Sequence, residues 1–248
     1  MSIIDDLIAS LKGDASVREV RVCAFWTAVV LEDGRCGLAS TLRPEEPQCA
    51  KPAPPVRRAG HLLECSALEL AEYAKSESLL EASIGLAAIN ALLEVDENRC
   101  LELNAEELIL KEGIGRKVVI VGHFPFIPRV REVAGKLWVL EKRPLEGDLP
   151  AEMAAEVLPQ ADVAAITGTS LINHTFEGLV RSCRPSTMVI VLGPTAPLSP
   201  VLFDYGVDAI CGTLVTDADS VLQLIGQGAN FGQVKRGGGV RLLTMVRT

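Results

Sequence analysis

Short apolar runs alternate with helical segments from residue 118 to the end of the chain, and this alternation constrains the fold more than any other feature. The runs are rich in Val, Ile and Leu, which suits strands buried on both faces of a parallel sheet. Right-handed crossovers through the intervening helices then predict a doubly wound, Rossmann-like α/β domain. The predicted strands are Val118–Val121, Leu137–Leu140, Val163–Thr167, Met188–Leu192, Ala209–Leu214 and Val240–Val246. The predicted helices are Pro128–Ala134, Ala151–Leu158, Leu171–Cys183, Pro200–Tyr205 and Ala218–Gln227.

Residues 1–112 show a different order of signals, which predicts a smaller α+β domain before the α/β domain of residues 113–248. After a first helical repeat, Arg18–Leu31 has the composition of one long strand. Asp33 and Gly34 then supply a hairpin turn before a second strand. Five of the 14 prolines lie in the stretch 44–55, which predicts an extended loop. The helices predicted after it are Ala67–Lys75, Leu79–Val95 and Ala105–Lys111.

Composition and charge exclude several classes of protein. Hydrophobic residues make up 48% of the 248 residues, which is enough for a large buried core. The net charge is -8 and no block of Lys and Arg occurs, which argues against nucleic-acid binding. No apolar run is long enough to cross a membrane, and the N-terminus lacks the basic region of a secretory signal. Seven cysteines with no CxxC pair indicate reduced thiols, a cytoplasmic location and no zinc ribbon.

Three loops that follow predicted strands carry the candidate site, because ligands of an open parallel sheet bind beyond the carboxyl ends of its strands. These polar, glycine-containing loops are Gly122–Phe126, Thr167–His174 and Gly193–Pro200, after the first, third and fourth predicted strands. In the common strand order 3-2-1-4-5-6 the first and fourth strands are neighbours. The first and last of the three loops are therefore expected to flank the ligand crevice.

The first loop lacks the GxGxxG pattern that holds a dinucleotide pyrophosphate, which argues against NAD. His123 and Phe124 occupy that position, and Phe124 is a candidate ligand contact. His123 is a candidate general acid or base because imidazole titrates near neutral pH. Glu141 ends the second predicted strand about 20 residues after Val121, where an acid can bind ribose hydroxyls of a cofactor. The alternative is that Glu141 simply belongs to a solvated charged run, and both interpretations stay open.

The second loop is the richest in candidate ligand contacts. Thr169 or Ser170 can cap the helix that follows, and the free N–H groups at its start attract an anion. Asn173 can hydrogen-bond the edge of a heterocycle, and His174 can act as an acid, a base or a metal ligand. Simple helix capping is the alternative. The candidate ligand contacts of this loop are Thr167, Gly168, Thr169, Ser170 and Asn173.

The third loop is stiffened by prolines and is expected to form one wall of a pocket. Gly193 and Pro194 begin it, and Ser199 is expected to cap a helix whose first residue is Pro200. The alternative is a well-made turn from strand to helix with no role in binding.

Two polar residues interrupt the apolar helix predicted at Leu79–Val95. Asn90 is surrounded by Ile and Ala, so its amide is expected to face the second domain and is a candidate ligand contact. Glu81 lies on the opposite side of this helix and is expected to face solvent or to lie near the helix start. The cysteines are assigned to packing.

Four segments together resemble the heavy-metal chelation family, which was long classed as a domain of unknown function. They are Glu81–Ala91, Gly122–Pro125, Thr167–Asn173 and Gly193–Pro200. The segments appear in the family's order, and the likeness extends over most of the chain. The resemblance implies an enolase N-terminal-like domain and a Rossmann-like domain partly similar to methyltransferases, with a site between them. It also implies roles in condensing or hydrolysing small molecules of flavin, pterin or metallophore synthesis, or in handling heavy metals. Fold alone does not carry enolase activity.

The leading hypothesis is a cytoplasmic small-molecule-binding enzyme that condenses or hydrolyses an anionic heterocyclic or metal-chelating metabolite in the interdomain cleft. His123 and His174 are its candidate catalytic residues, and Asn90 and Asn173 orient the ligand. One alternative is a non-catalytic carrier of a metal or metallophore, with the two histidines as donors. Another is a transferase that uses S-adenosylmethionine or a nucleotide held by Glu141. Neither the metal nor the substrate is identified, no membrane partner is expected, and a homo-oligomer stays open.

Overall fold

The computed structural model describes residues 2–43 and 55–247, which form a small antiparallel sheet, a large mostly parallel sheet and the helices packed on them. The α/β fold predicted from the sequence is therefore confirmed. Nearly all of the predicted loop 44–55 lies outside the described residues. In the described part, no helix is both long enough and apolar enough to span a membrane.

The small sheet contains three strands where the sequence predicted two. The prediction of one strand over 18–31 is wrong, because the chain reverses at Cys23, whose N–H donates to the Trp26 carbonyl oxygen at 2.9 Å. The predicted hairpin is confirmed, with Gly34 at a φ of 91° between the second and third strands. The strands, in their order across the sheet, are β1 (Val17–Val22), β2 (Trp26–Leu31) and β3 (Cys36–Ser40).

One helix, α3 (Leu79–Leu92), is buried among the small sheet, the neighbouring helices and the large sheet, which explains why it is apolar nearly all round. Two glycines allow the close packing. A Cβ atom on Gly37 would lie 2.0 Å from the Ala87 carbonyl oxygen, and one on Gly85 would lie 1.9 Å from the Ala74 nitrogen. The helices of this part are α1 (Ile3–Ala9), α2 (Ala67–Ala71) and α3 (Leu79–Leu92).

The large sheet has eight strands. They are β4 (Cys100–Leu101), β5 (Lys117–Val121), β6 (Lys136–Glu141), β7 (Leu149–Pro150), β8 (Val163–Thr167), β9 (Met188–Leu192), β10 (Ala209–Val215) and β11 (Val240–Val246). Their order is β4-β11-β10-β9-β8-β5-β6-β7. Strands β5 to β10 run parallel, whereas β11 is antiparallel to both β10 and β4.

The two-residue strand β7 changes which strand lies beside β5, and so which loops are neighbours. It was not predicted, because Leu149 and Pro150 form no apolar run. It lies at the edge of the sheet beside β6 and counts as the third strand of the 3-2-1-4-5-6 order, so the fourth strand of that order, next to β5, is β8. The expectation that the first predicted strand lies beside Met188–Leu192 is therefore wrong, and Val163–Thr167 is the actual neighbour.

Side chains of the large sheet alternate between two covered faces. Val118 and Ile120 of β5 pack in a cluster with the helices at Ala105–Gly113 and Ile127–Val133, whereas Val119 and Val121 pack in the cluster that contains α3. The helices of this part are α4 (Ala105–Gly113), α5 (Ile127–Val133), α6 (Ala154–Val157), α7 (Thr169–Ile172), α8 (Phe176–Ser182), α9 (Val201–Asp204), α10 (Ala218–Gly226) and α11 (Phe231–Arg236).

The two halves of the chain share their cores. Residues of α10 and α11 pack on the face of the small sheet that α3 leaves uncovered. Residues 100–113, which precede the predicted domain boundary, supply β4 and α4 to the packing of the large sheet. The division at 112/113 stays a prediction.

Candidate functional site

The three predicted loops lie side by side at the carboxyl edge of the large sheet. A Cβ atom on Gly122, which has a φ of 104°, would lie 3.1 Å from the Thr167 Cβ. A Cβ atom on Gly168 would lie 2.6 Å from the Ala196 nitrogen. The loop after β5 therefore touches the loop after β8, which in turn touches the loop after β9. Glycine at the two contact positions permits this close approach.

His123 is held by a carboxylate that sequence reasoning missed. Its Nδ1 lies 3.1 Å from Oδ2 of Asp148, whose side chain is only 2% exposed, whereas the imidazole is 41% exposed. The same Oδ2 accepts the N–H of Leu145 at 3.1 Å. An open cleft of about 430 Å³ begins at His123 and is lined also by Arg131, Glu132 and Glu146. A histidine oriented by a buried carboxylate beside a cleft can take up and release protons.

His174 makes a contact that joins the two halves of the chain. It has a φ of 58°, and its Nε2 donates to the Ser76 carbonyl oxygen at 3.0 Å. The left-handed backbone ends α7 and separates it from α8, so the prediction of one helix over 171–183 is wrong. The proposed acid, base or metal-ligand role would have to use the other ring nitrogen, and it stays a prediction.

Asn173 closes the turn between the same two helices. Its Oδ1 accepts the Thr175 hydroxyl at 2.6 Å and the Thr175 N–H at 3.3 Å. The side-chain oxygen is thus engaged within the turn, and only the amide nitrogen is left for a heterocycle. Ligand binding by Asn173 stays a prediction.

The hydroxyls of the loop after β8 are largely bonded to one another. Thr167 Oγ1 lies 3.0 Å from Thr169 Oγ1, and the buried Ser170 donates to the Thr167 carbonyl oxygen at 2.6 Å. The expected cap by Thr169 or Ser170 is wrong, because both lie inside α7 and Gly168 precedes it. With only four residues, α7 offers little of the helix-end field that attracts anions. Among these three hydroxyl residues, Thr167 and Thr169 are half-buried and lie closer to solvent than Ser170.

Asn90 faces the second half of the chain, as expected, and meets the loop after β9. Its Nδ2 donates to the Leu38 carbonyl oxygen at 3.0 Å and to the Thr195 carbonyl oxygen at 3.4 Å. Thr195 Oγ1 also accepts the Ser40 N–H at 2.9 Å. Thr195 was not predicted, although it lies within the loop that was singled out. These contacts tie both sheets together, and ligand binding by Asn90 stays a prediction.

Other predicted positions of this edge have local roles. Gly193 has a φ of 107° and Pro194 is half-buried beside it. Ser199 is buried, and the expectation that it caps a helix starting at Pro200 is wrong, because Pro200 is the residue before α9. Phe124 stacks on Phe126, with ring centroids 5.2 Å apart.

Glu141 lies where the prediction put it, at the end of β6, and is half-buried. Its Oε1 accepts the N–H of Lys142 at 2.7 Å. This local bond uses one carboxylate oxygen. Binding of a ribose by Glu141 stays a prediction.

Glu81 lies in the first turn of α3, as one of the two alternatives predicted, but it is buried, so the alternative that it faces solvent is wrong. Its carboxylate is 3% exposed and accepts hydrogen bonds from Arg57 N (2.6 Å), Arg57 Nε (2.9 Å) and Ser76 Oγ (2.6 Å). The Arg57 guanidinium also stacks on Tyr73, 4.6 Å from the ring centroid. Burial raises the pKa of Glu81, but the bonds from Arg57 and Ser76 outweigh it, so the pKa lies below its ordinary value.

The described side chains do not fit a metal centre. Within residues 2–43 and 55–247, no group of three or more His, Cys, Asp or Glu is placed to hold an ion, and no buried side-chain nitrogen or oxygen lacks a partner. Burial raises the pKa of Cys36 to about 12 and that of Cys211 to about 11. Such thiols resist the deprotonation that metal binding requires.

Family models match most of the described chain. The DUF364 model, described as "Putative heavy-metal chelation", matches residues 104–244. The DUF4213 model, with the same description, matches residues 4–93. The chain belongs to the DUF364 family. The resemblance inferred from the four segments is therefore confirmed, and membership in DUF364 shows the family without showing a specific reaction.

Similar proteins extend over different shares of the chain. An uncharacterized protein of Methanocaldococcus jannaschii is 30% identical over 163 residues, which is 62% of this chain and 62% of that protein's length. A DUF364 crystal structure of unknown function from Desulfitobacterium hafniense has a TM-score of 0.81 at 28% identity, covering 99% of this chain and 97% of that one. A DUF364 structure from Pyrococcus horikoshii, at 21% identity, has a TM-score of 0.80 over 99% and 98% of the two chains, and shows the shared fold.

Proposed function

We propose that this DUF364 protein binds a small polar metabolite at the carboxyl edge of its large sheet and acts on it by acid–base chemistry at His123. The observation that carries the proposal is the half-exposed imidazole, bonded to the buried Asp148 and open to a cleft of about 430 Å³. The cleft lies between the loop after β5, helix α5 and the loop before β7. Ligands of doubly wound sheets bind beyond the carboxyl ends of the strands, and the loop after β5 follows one of these ends.

The chemistry follows from the ring nitrogens. When Nδ1 is bonded to a carboxylate, Nε2 is the nitrogen that can accept a proton from a ligand and return it. Such a group supports condensation or hydrolysis, the reaction classes that the four family segments suggested. No nucleophilic side chain is assigned, so the second reactant is taken to be water or a second part of the ligand.

The charges of the cleft narrow the class of ligand. Arg131 offers a guanidinium, whereas Glu132 and Glu146 offer carboxylates, so the lining has no excess of positive charge. A heterocycle that carries both N–H donors and an anionic group satisfies both signs of charge. This class of ligand is narrower than the anionic metabolites considered from the sequence, and it includes pterin-like and metal-chelating compounds.

The test compares two matched histidine variants. His123→Gln removes the proposed acid–base group, whereas His61→Gln removes a histidine that is also bonded through Nδ1, to Glu64 at 2.8 Å, but is 66% exposed. We expect pterins, flavins or metallophore fragments that bind the wild type in calorimetry to lose at least about tenfold in affinity with His123→Gln only. Equal affinity for all three proteins would refute the proposed site.

The family description favours a second function, the handling of a metal cargo. Because the described side chains supply no three-donor group, we propose that such a metal would arrive already bound to a chelating ligand. Elemental analysis after gel filtration should then find retained nickel, copper or zinc only when the chelator is present. Stoichiometric retention of the bare ion would contradict this version of the carrier function.

A further inference from the structure

We infer that Asp148 is a positioning residue that holds the proton of neutral His123 on Nδ1, so that Nε2 is the free base at the cleft. This inference rests on the proposed function of His123 and adds the group that prepares it. It depends on the contact of Nδ1 with Asp148 Oδ2, at 3.1 Å. An ionised carboxylate only accepts hydrogen bonds, so the shared proton belongs to the imidazole.

The loop around Asp148 fixes the carboxylate independently of the histidine. The Asp148 N–H donates to the Leu145 carbonyl oxygen at 3.0 Å, and Oδ2 accepts the Leu145 N–H at 3.1 Å. The next residue begins β7, which pairs with β6. Asp148 is therefore held at both its backbone and its side chain. A preorganised partner of this kind orients an acid–base histidine without having to move when a proton is transferred.

The pair of His123 and Asp148 is more buried than the pair of His61 and Glu64. Asp148 is 2% exposed, whereas Glu64, the partner of His61, is 62% exposed. Water competes with a hydrogen bond to an exposed carboxylate far more than with one to a buried carboxylate. The charged groups that face His123 are Arg131 and Glu132 from α5, and Glu146 from the loop before β7.

His174 serves as an internal reference, because its neutral ring should carry the proton on the other nitrogen, Nε2. Its Nε2 faces the Ser76 carbonyl oxygen, which only accepts, so the proton of neutral His174 must lie on Nε2. The same protein should therefore contain two histidines in opposite tautomers. This pair of expectations comes from two independent contacts, and both can be read in one spectrum.

The experiment is nitrogen NMR of the full chain labelled with ¹⁵N-histidine, at a pH of about 9, where imidazoles are ordinarily neutral. His123→Gln assigns the signals by loss. We expect wild-type His123 to show a protonated Nδ1 and an unprotonated Nε2, with the reverse for His174. In Asp148→Ala, His123 should lose the predominance of the Nδ1–H form, while His174 stays unchanged. Glu64→Ala is the matched control and should leave the His123 signals in place.

Two results would overturn the inference. One is a wild-type His123 that carries its proton on Nε2, which is decisive even if Asp148→Ala does not fold. The other is a folded Asp148→Ala protein in which the His123 tautomer is unchanged. Neither outcome depends on a ligand, so this test can fail while the proposed function stands. Conversely, if His123→Gln binds ligands as tightly as the wild type, the proposed function is refuted, but the tautomer measurement is unaffected.

Discussion

Replacing Glu81 with glutamine tests whether a buried carboxylate, rather than helix propensity, anchors α3 to the segment around Arg57. The substitution keeps the shape of the side chain and removes its charge. The carboxylate accepts from Arg57 N, Arg57 Nε and Ser76 Oγ. We therefore expect Glu81→Gln to be destabilised at pH 7, because each of these bonds loses its charge assistance.

The magnitude follows from the exposure of each partner. The Arg57 guanidinium is 61% exposed, so its bond counts as a surface ion pair of at most about 1 kcal/mol. The two other bonds are part-buried, and loss of charge assistance costs about 1 kcal/mol each. Together these contributions give a loss of about 2 to 3 kcal/mol, which lowers the melting temperature of a chain of this size by about 4 to 12 °C.

The pH dependence gives a second, independent check. The folded-state pKa of Glu81 lies below its ordinary value, so the stabilisation is present above about pH 4.3 and is lost as the pH falls through the folded-state pKa. Glutamine does not titrate, so the difference between the two proteins should shrink in acid. The control is Glu77→Gln, an exposed glutamate whose side chain makes no ion pair with the described residues. A melting temperature of Glu81→Gln within about 1 °C of wild type at pH 7 would refute the reasoning.

Three further predictions concern the packing of glycines, the contact of Asn90 with both sheets, and thiol chemistry. Gly85→Ala should lower the melting temperature sharply, because its Cβ would lie 1.9 Å from the Ala74 backbone nitrogen. Gly178→Ala is the control: a Cβ there would meet no atom within 4 Å, so the free energy of unfolding should rise by about 0.5–1 kcal/mol. Asn90→Ala should lower the free energy of unfolding, measured in urea, by about 2 kcal/mol, because two carbonyl oxygens lose a donor. An unchanged urea midpoint would contradict the conclusion that Asn90 ties the two sheets together. Cys36 and Cys211, with pKa values raised by burial to about 12 and about 11, should react with iodoacetamide at pH 7.5 only after unfolding, as peptide mass spectrometry can show.

Local signals predicted the parts of the fold in which neighbouring residues decide the structure. Apolar runs identified every strand of the large sheet from β5 to β11 except β7, and the Asp33-Gly34 turn identified the β2–β3 hairpin. The reversal between β1 and β2 was missed, because the turn at Cys23 contains no Gly, Pro, Asn or Asp. Strand pairing, and not turn composition, determines this reversal.

The contacts of the candidate site depend on topology, which the sequence pattern does not contain. Asp148 is 25 residues away from His123 along the chain and follows a charged, irregular stretch. It approaches the imidazole because the short β7 pairs with β6. The partner of Glu81 is likewise 24 residues upstream, at Arg57, just after the proline-rich loop. Neither contact could be predicted, because the partner of each acid lies more than 20 residues away along the chain.

The carboxyl edge of the large sheet has two parts that should respond differently to substitution. Asn90 and Thr195 are bonded to groups of the protein itself, so changes there act first on stability. His123 is half-exposed at an open cleft, and only its Nδ1 is engaged by Asp148. We therefore expect His123→Gln to change ligand affinity with a loss of stability of less than about 0.5 kcal/mol. If it destabilises the protein as much as Asn90→Ala does, the imidazole is a structural group and catalysis must be sought elsewhere along this edge.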